Sequence, residues 1–165
     1  MTMLLERDDI GSVTREQVRD LYDGYYDSLD GLNLDDWPAY FAVECRYRII
    51  SRENYERGYK LAIMNAESRD MLTDRVTGLT RTQVYAPRYY RRFPGPLRIG
   101  AVDGDQLPVE HNLLMVQTLI DKQSDIVLCG RCFDRLVVEE GKLLIKQRDV
   151  VFDSEMIPNS LIYPA

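Results

Sequence analysis

Cys129-Gly130-Arg131-Cys132 is the stretch whose residue types most readily suggest chemistry, because two thiols three positions apart can form a redox pair or supply half of a zinc site. The flanking residues argue against both. Ile126 to Val138 is rich in β-formers, and on a strand residues three apart point to opposite faces, so the two sulfurs can neither meet nor share a metal. Redox pairs of this spacing normally open a helix, where the dipole lowers a thiol pKa, and the chain has no second cysteine pair. Packing is the preferred role for these cysteines. The second candidate is His111. A facial-triad iron needs two histidines and a carboxylate, a Rieske cluster needs two cysteines and two histidines, and this chain has one histidine for either. His111 could act as a general acid or base oriented by a strand carboxylate such as Asp134. A half-buried or interfacial histidine bonded to a neighbour is the plainer reading and the preferred one.

The third candidate is the basic and aromatic cluster of Arg88, Tyr89, Tyr90, Arg91, Arg92, Phe93 and Arg98. Such side chains can stack on and pair with single-stranded nucleic acid, but they are also enriched in protein interfaces. A formal charge of −6 favours the interface, since binding to a phosphate backbone relies on Lys and Arg releasing counterions. Phosphate-cradling G-x-G-x-x-G and G-x-x-x-x-G-K-[ST] loops are absent, as is the G-x-S-x-G nucleophile turn.

These groups must be held by elements that the periodicity outlines. Thr14-Arg15-Glu16-Gln17 has the form of a capping box, and Val18, Leu21, Tyr22, Tyr25 and Leu29 follow at helical spacing to about Gly31. A shorter helix is expected from about Asp35, with Trp37, Tyr40 and Phe41 on one face and Pro38 in its first turn. At Cys45 the period becomes two, with Cys45, Tyr47 and Ile49 on one face; Arg52-Glu53-Asn54 reads as a turn and Tyr55 to Met64 as a returning strand. Ser68 is the expected cap of a helix through Leu79, burying Met71, Leu72, Val76 and Leu79, and Thr82 to Tyr85 is a short β-prone piece. Pro87 to Pro108 reads as irregular, because four prolines and three glycines interrupt it. Val109 to Ile120, Ile126 to Val138 and Leu143 to Asp153 form an antiparallel meander, the last two joined by a polar turn with Gly141 at positive φ. In the first strand of that hairpin Ile126, Leu128, Cys132, Leu136 and Val138 should face the helices, and Arg131 and Arg135 should look outward.

Helices first and strands later indicate an α+β domain, a sheet curved around a helical cover. The expected organisation is an N-terminal extension over residues 1–13 and a single domain over 14–165, large enough for its own core. No apolar run is long enough for a membrane span, Met1 to Ile10 lacks the apolar stretch of a secretory signal, and three cysteines without framework spacing fit a reducing cytoplasm.

Several runs together resemble the small (beta) subunit of the Rieske-type aromatic-ring-hydroxylating oxygenases: Leu34-Asp35-Asp36-Trp37-Pro38-Ala39-Tyr40-Phe41, Arg69-Asp70-Met71-Leu72-Thr73-Asp74-Arg75-Val76, Gly130 to Asp153, and Ile157-Pro158-Asn159-Ser160-Leu161-Ile162-Tyr163-Pro164. The pattern is similar to the branch acting on aromatic carboxylic acids such as salicylate or terephthalate. The resemblance implies a cone-shaped, nuclear-transport-factor-2-like fold. It implies assembly with other small subunits and with a large (alpha) subunit that carries the Rieske 2Fe-2S cluster and mononuclear non-haem iron, three of each in a hexamer (alpha3beta3). It also implies a structural role in the breakdown of aromatic compounds, with no catalytic, metal-binding or cofactor-binding residue in this chain. On this reading Tyr89, Tyr90, Arg91, Arg92, His111, Arg131 and Arg135 are the expected subunit-interface residues, with neither nucleic acid nor membrane as partner. The rival is a stand-alone dehydratase or isomerase on the same cone, using a buried His/Asp pair in a pocket lined by His111, Asp134 or Tyr47. A stand-alone binding module is a third reading.

Overall fold

The computed structural model describes residues 9–82, 87–155 and 163–165. Helix α1 (Arg15–Asp30) starts at the expected capping box: the Thr14 hydroxyl accepts from Gln17 N, and Gln17 Oε1 accepts from Thr14 N. Its inward stripe is Val18, Tyr22, Tyr25, Tyr26 and Leu29, so three tyrosines carry polar ends into the core. The next element, Leu34–Tyr40, is a 3-10 helix where an ordinary short helix was expected. Pro38 lies inside it, beyond the first turn, and without an N–H it cannot extend an α-helical ladder. The buried side of this element is Leu34, Trp37 and Pro38 rather than the expected Trp37, Tyr40 and Phe41: Tyr40 is half-buried, and Phe41 already begins the first strand.

Among the described residues seven strands form one sheet: β1 (Phe41–Ser51), β2 (Met64–Ala66), β3 (Arg88–Pro94), β4 (Arg98–Ile99), β5 (Leu107–Leu119), β6 (Ser124–Glu139) and β7 (Lys142–Phe152). Their order is β2-β1-β7-β6-β5-β3, with β4 also on β5; β1 and β7 run parallel and the other pairs antiparallel. The meander β5-β6-β7 is the one expected, and its last turn is Glu140-Gly141, both at positive φ, the geometry of a two-residue hairpin. Cys45, Tyr47 and Ile49 are all buried, as the period of two required.

Three expectations fail for identifiable reasons. Ser51 caps a short helix α2 (Arg52–Glu56) by accepting from Asn54 N, so the chain turns away after β1; the returning strand is only Met64–Ala66, not Tyr55 to Met64. Pro87 to Pro108 contains β3, paired with β5 from Arg88↔Leu119 to Pro94↔Leu113, and β4. β3 is an edge strand, where the missing N–H of a proline is tolerated. Ile126 is 64% exposed, because an irregularity at Val127 puts Val127 and Leu128 inside and turns Ile126 out.

Helix α3 (Arg69–Thr77) begins at Ser68 as expected and continues into a π turn, Gly78–Thr82. It buries Leu72, Val76 and Leu79, whereas Met71 is 45% exposed and accepts from Glu67 N. Of the β-prone piece Thr82 to Tyr85, residues 83–85 lie outside the described residues, as do residues 1–8 and most of the tail run Ile157–Pro164. Ile10 packs in the core.

Candidate functional site

On the inner face of the sheet, β5 contributes Val109 and His111, β6 contributes Cys132 and Asp134, and β7 contributes Arg148 and Val150. The register places His111 beside Cys132 and Asp134 beside Arg148. Helix α1 lays Tyr22, Tyr25 and Tyr26 over them. The result is a buried polar cluster: Arg148 Nη1 donates to Asp134 Oδ2 at 2.7 Å, and the Tyr22 hydroxyl donates to the same oxygen at 2.7 Å. Arg148 Nη2 donates to the Tyr26 hydroxyl oxygen, and that hydroxyl lies 2.7 Å from His111 Nε2. The guanidinium also sits 4.6 Å from the centre of the Tyr25 ring, a cation–π contact in a dry setting.

Arg148 can only donate, so the Tyr26 hydroxyl oxygen accepts from it, and which of Tyr26 and His111 Nε2 donates to the other is set by the histidine tautomer. Burial, helped by the positive charges of Arg148 and Arg98, pushes His111 down to about 3, so it is neutral at physiological pH. Burial pushes Asp134 up to about 6, with Arg148 and the Tyr22 hydrogen bond pulling the other way. Arg148 stays charged: burial is the largest single influence and opposes the charge, but Asp134, Cys132 and the tyrosines around it together outweigh that cost.

His111 and Asp134 are thus not the directly bonded acid–base pair that the sequence allowed. Tyr26 and Arg148 stand between them. Nε2 of His111 is taken up by Tyr26, and both residues are buried, as is Tyr47. Among the described residues Nδ1 of His111, Oδ1 of Asp134 and Nε of Arg148 are buried without a hydrogen-bond partner.

Cys129 is exposed and Cys132 buried, as strand alternation required, and burial pushes the Cys132 thiol up to about 12, far from thiolate chemistry. Gly130 between them has a packing reason: a Cβ there would lie 2.0 Å from the Val151 carbonyl oxygen. One histidine, its Nε2 held by Tyr26, and two cysteines facing apart do not fit a Rieske cluster or a facial-triad iron. Among the described residues no group of three or more His, Cys, Asp or Glu is placed to hold a metal ion.

The basic and aromatic cluster divides by face. Tyr89 and Arg91 are exposed, while Tyr90 and Arg92 point inward; Arg92 is 5% exposed and pairs with Asp30 at 2.6 Å, and Tyr90 donates to Gln117 Oε1 at 2.8 Å. Arg131 is exposed, and Arg135 reaches Asp103 at 3.0 Å. Tyr90, Arg92 and His111 therefore present no side chain to the outside, because each is taken up within the chain. Sequence reasoning missed Arg148 and the polar role of Tyr22 and Tyr26. A signal existed: Asp134 falls in the inward register between Cys132 and Leu136, and a carboxylate there demands a cation on a neighbouring strand.

A curved, mostly antiparallel sheet closing over a long N-terminal helix defines the class of the molecule, the α+β nuclear-transport-factor-2-like cone. A family model described as "Ring hydroxylating beta subunit" matches residues 27–159, most of the chain, and the chain belongs to that family. It is similar to the anthranilate 1,2-dioxygenase small subunit of Burkholderia cepacia, 29% identical over 87% of this chain and 89% of the relative. It is also similar to the terephthalate 1,2-dioxygenase terminal oxygenase component subunit beta 1 of Comamonas sp, 26% identical over 85% and 91%. Among solved structures, a beta subunit assigned to an aromatic-ring-hydroxylating dioxygenase of Novosphingobium aromaticivorans matches with a TM-score of 0.82 and 30% identity, over 94% of this chain and 98% of that one.

Proposed function

We propose that this chain is a structural small subunit of a terminal aromatic-ring-hydroxylating oxygenase, itself without catalytic residues. Its partner is a large subunit that carries the Rieske 2Fe-2S cluster and the mononuclear iron, in a cytoplasmic hexamer of three large and three small subunits. The observation that carries the reading beyond family membership is the self-contained interior. Asp134 and Arg148 neutralise each other, His111 is neutral with Nε2 held by Tyr26, and both sit beneath α1. The same two residues in a dehydratase or isomerase would need a free lone pair and a path for substrate. The anthranilate and terephthalate enzymes that similar subunits serve support an aromatic carboxylate as the substrate of the complex. For the subunit interface we assign the outward side chains Tyr89, Arg91, Arg131 and Arg135, with Tyr90, Arg92 and His111 holding the strands beneath them.

Co-expression with the large subunit of such an oxygenase, followed by light scattering on the eluted complex, tests this reading. A hexamer is expected; a stable small-subunit monomer that ignores its partner would overturn it. In that complex, charge reversal at Arg91 and Arg131 together should weaken assembly by at least about tenfold in apparent Kd, as loss of interfacial charge pairs does. An undiminished hexamer at micromolar protein would remove those residues from the interface.

A further inference from the structure

Beside the polar cluster, across the ring of Tyr25, the described tail residues Tyr163, Pro164 and Ala165 pack into an aromatic recess. Pro164 and Ala165 are buried, and the Tyr163 ring stands edge-on to Tyr90 at 5.1 Å. The hydrogen bonds here are side chain to tail. Arg92 turns both Nε, at 3.2 Å, and Nη2 onto the one carbonyl oxygen of Pro164. The Tyr25 hydroxyl accepts from Trp37 Nε1 at 3.0 Å and donates to the main-chain oxygen of Ala165 at 2.7 Å. The Tyr47 hydroxyl accepts from Ala165 N at 2.9 Å. Trp37, Phe41 and Tyr47 line the recess in edge-to-face contacts.

The mismatch lies at Arg92. The Nε–Nη2 edge of a guanidinium is a two-donor fork that matches the two oxygens of a carboxylate, and here it is capped by one neutral carbonyl. Its remaining nitrogen is held by Asp30, so the fork is fixed in place whatever occupies the recess. Tyr25 is fixed likewise, its acceptor side taken by Trp37. A rigid fork, a rigid hydroxyl donor and aromatic walls form a preorganised set for a small ring-bearing acid.

We propose that Tyr163–Ala165 is a displaceable plug over a binding site for a small aromatic carboxylate, with the carboxylate on Arg92 and the ring among Tyr25, Trp37 and Tyr47. The site lies in this chain, which it would make a sensor of such acids. The plug lowers apparent affinity by the fraction of time it is out.

Trp37 is the only tryptophan of the chain, so its emission reports the site directly. Benzoate is titrated into the full chain, into the chain ending at Ile162, and into the full-length Tyr163→Ala variant, with circular dichroism confirming the fold of each. Saturable quenching is expected, at least about tenfold tighter without the plug than with it, and intermediate for Tyr163→Ala. The acetylated tripeptide Tyr-Pro-Ala should compete with benzoate for the shortened chain. Arg92→Lys, which keeps a cation for Asp30 but loses the fork, should abolish benzoate binding in the shortened chain. A folded shortened chain whose Trp37 emission ignores benzoate overturns the proposal. So does equal affinity with and without the plug. Should the shortened chain not fold, a Tyr163→Ala variant indistinguishable from the unaltered chain overturns it in the same way. Hexamer formation is read in a separate experiment, so either result leaves the assembly role to its own test.

Discussion

Arg148 and Asp149 are neighbours in β7, yet they belong to two different electrostatic worlds. Strand alternation sends Arg148 inward, where its one carboxylate is Asp134, and sends Asp149 outward, where Arg46 and Arg48 both reach it at 2.9 and 2.8 Å. Inside, each charge has one opposite charge, and partial bonds to tyrosine hydroxyls make up the difference. Outside, one carboxylate that is itself 5% exposed has two cations, and water reaches the cluster through Arg46, whose side chain is 40% exposed. An inward pair costs several kcal/mol of desolvation per ion and is held by its partner, so losing one member leaves an uncompensated charge. Losing Asp149 also removes a buried partner, but Arg46 can rehydrate, and Arg48, 15% exposed, can do so in part. The comparison separates what the fold depends on from what it tolerates.

The largest expected effect follows from breaking the inner pair. Arg148→Met should destabilise the chain by about 3–5 kcal/mol in urea unfolding, whereas Asp149→Asn on the other face should cost about 1–2 kcal/mol. Adding Asp134→Leu to Arg148→Met should restore part of the loss, because the stranded charge goes with it. Equal costs for the two single variants would erase the distinction drawn between the faces.

A smaller effect sharpens the same contrast through pH. His111 ordinarily titrates near 6.5 and is held at about 3, so its contribution to stability is whole above 6.5 and is lost as pH falls toward 3. Asp134 is raised from 3.8 to about 6, so its contribution is whole below 3.8 and is lost as pH rises through 6. Each has a slope of about 1.4 kcal/mol per pH unit, and the two oppose each other between about 4 and 6. His111→Phe should therefore make the chain gain stability on acidification across that range, and Asp134→Asn should make it lose stability more steeply than the unaltered chain does. Parallel curves for all three proteins would show that neither group titrates as its surroundings require.

The smallest perturbation uses the same inside–outside rule on the thiols. Iodoacetamide at neutral pH should modify Cys129 readily in the native chain and leave Cys132 unmodified until urea is added, as peptide mass mapping would show. Rapid native labelling of Cys132 would mean that the inner face opens far more easily than its packing implies.

The legible parts of this fold are those that local rules decide. The Thr14 capping box, the period of two at Cys45, Tyr47 and Ile49, and the Gly141 hairpin each need only a few neighbouring residues to make sense. β3 was illegible because its inward positions are Tyr90 and Arg92, and an inward arginine looks like a surface residue until Asp30, far away in sequence, is known to meet it. The strand sense of Ile126 was lost at Val127, since a bulge shifts the alternation by one without any residue type that announces it. The site was half legible. His111 and Asp134 stood out by type, but the arginine and tyrosines between them lie on other elements, so an apparent acid–base pair was really the two ends of a longer chain of hydrogen bonds.

The parallel pairing of β1 with β7 has a consequence for the order of events in folding. Arg48 and Asp149 are 101 positions apart, and β1 has only the three-residue β2 as its other neighbour. A nascent chain therefore emerges with β1 nearly unpaired and waits for β7 before the sheet can close. Closing so long a loop precedes most of the contacts that reward it, which places this chain among slow folders and makes β1 the segment most exposed to wrong partners until β7 has been made.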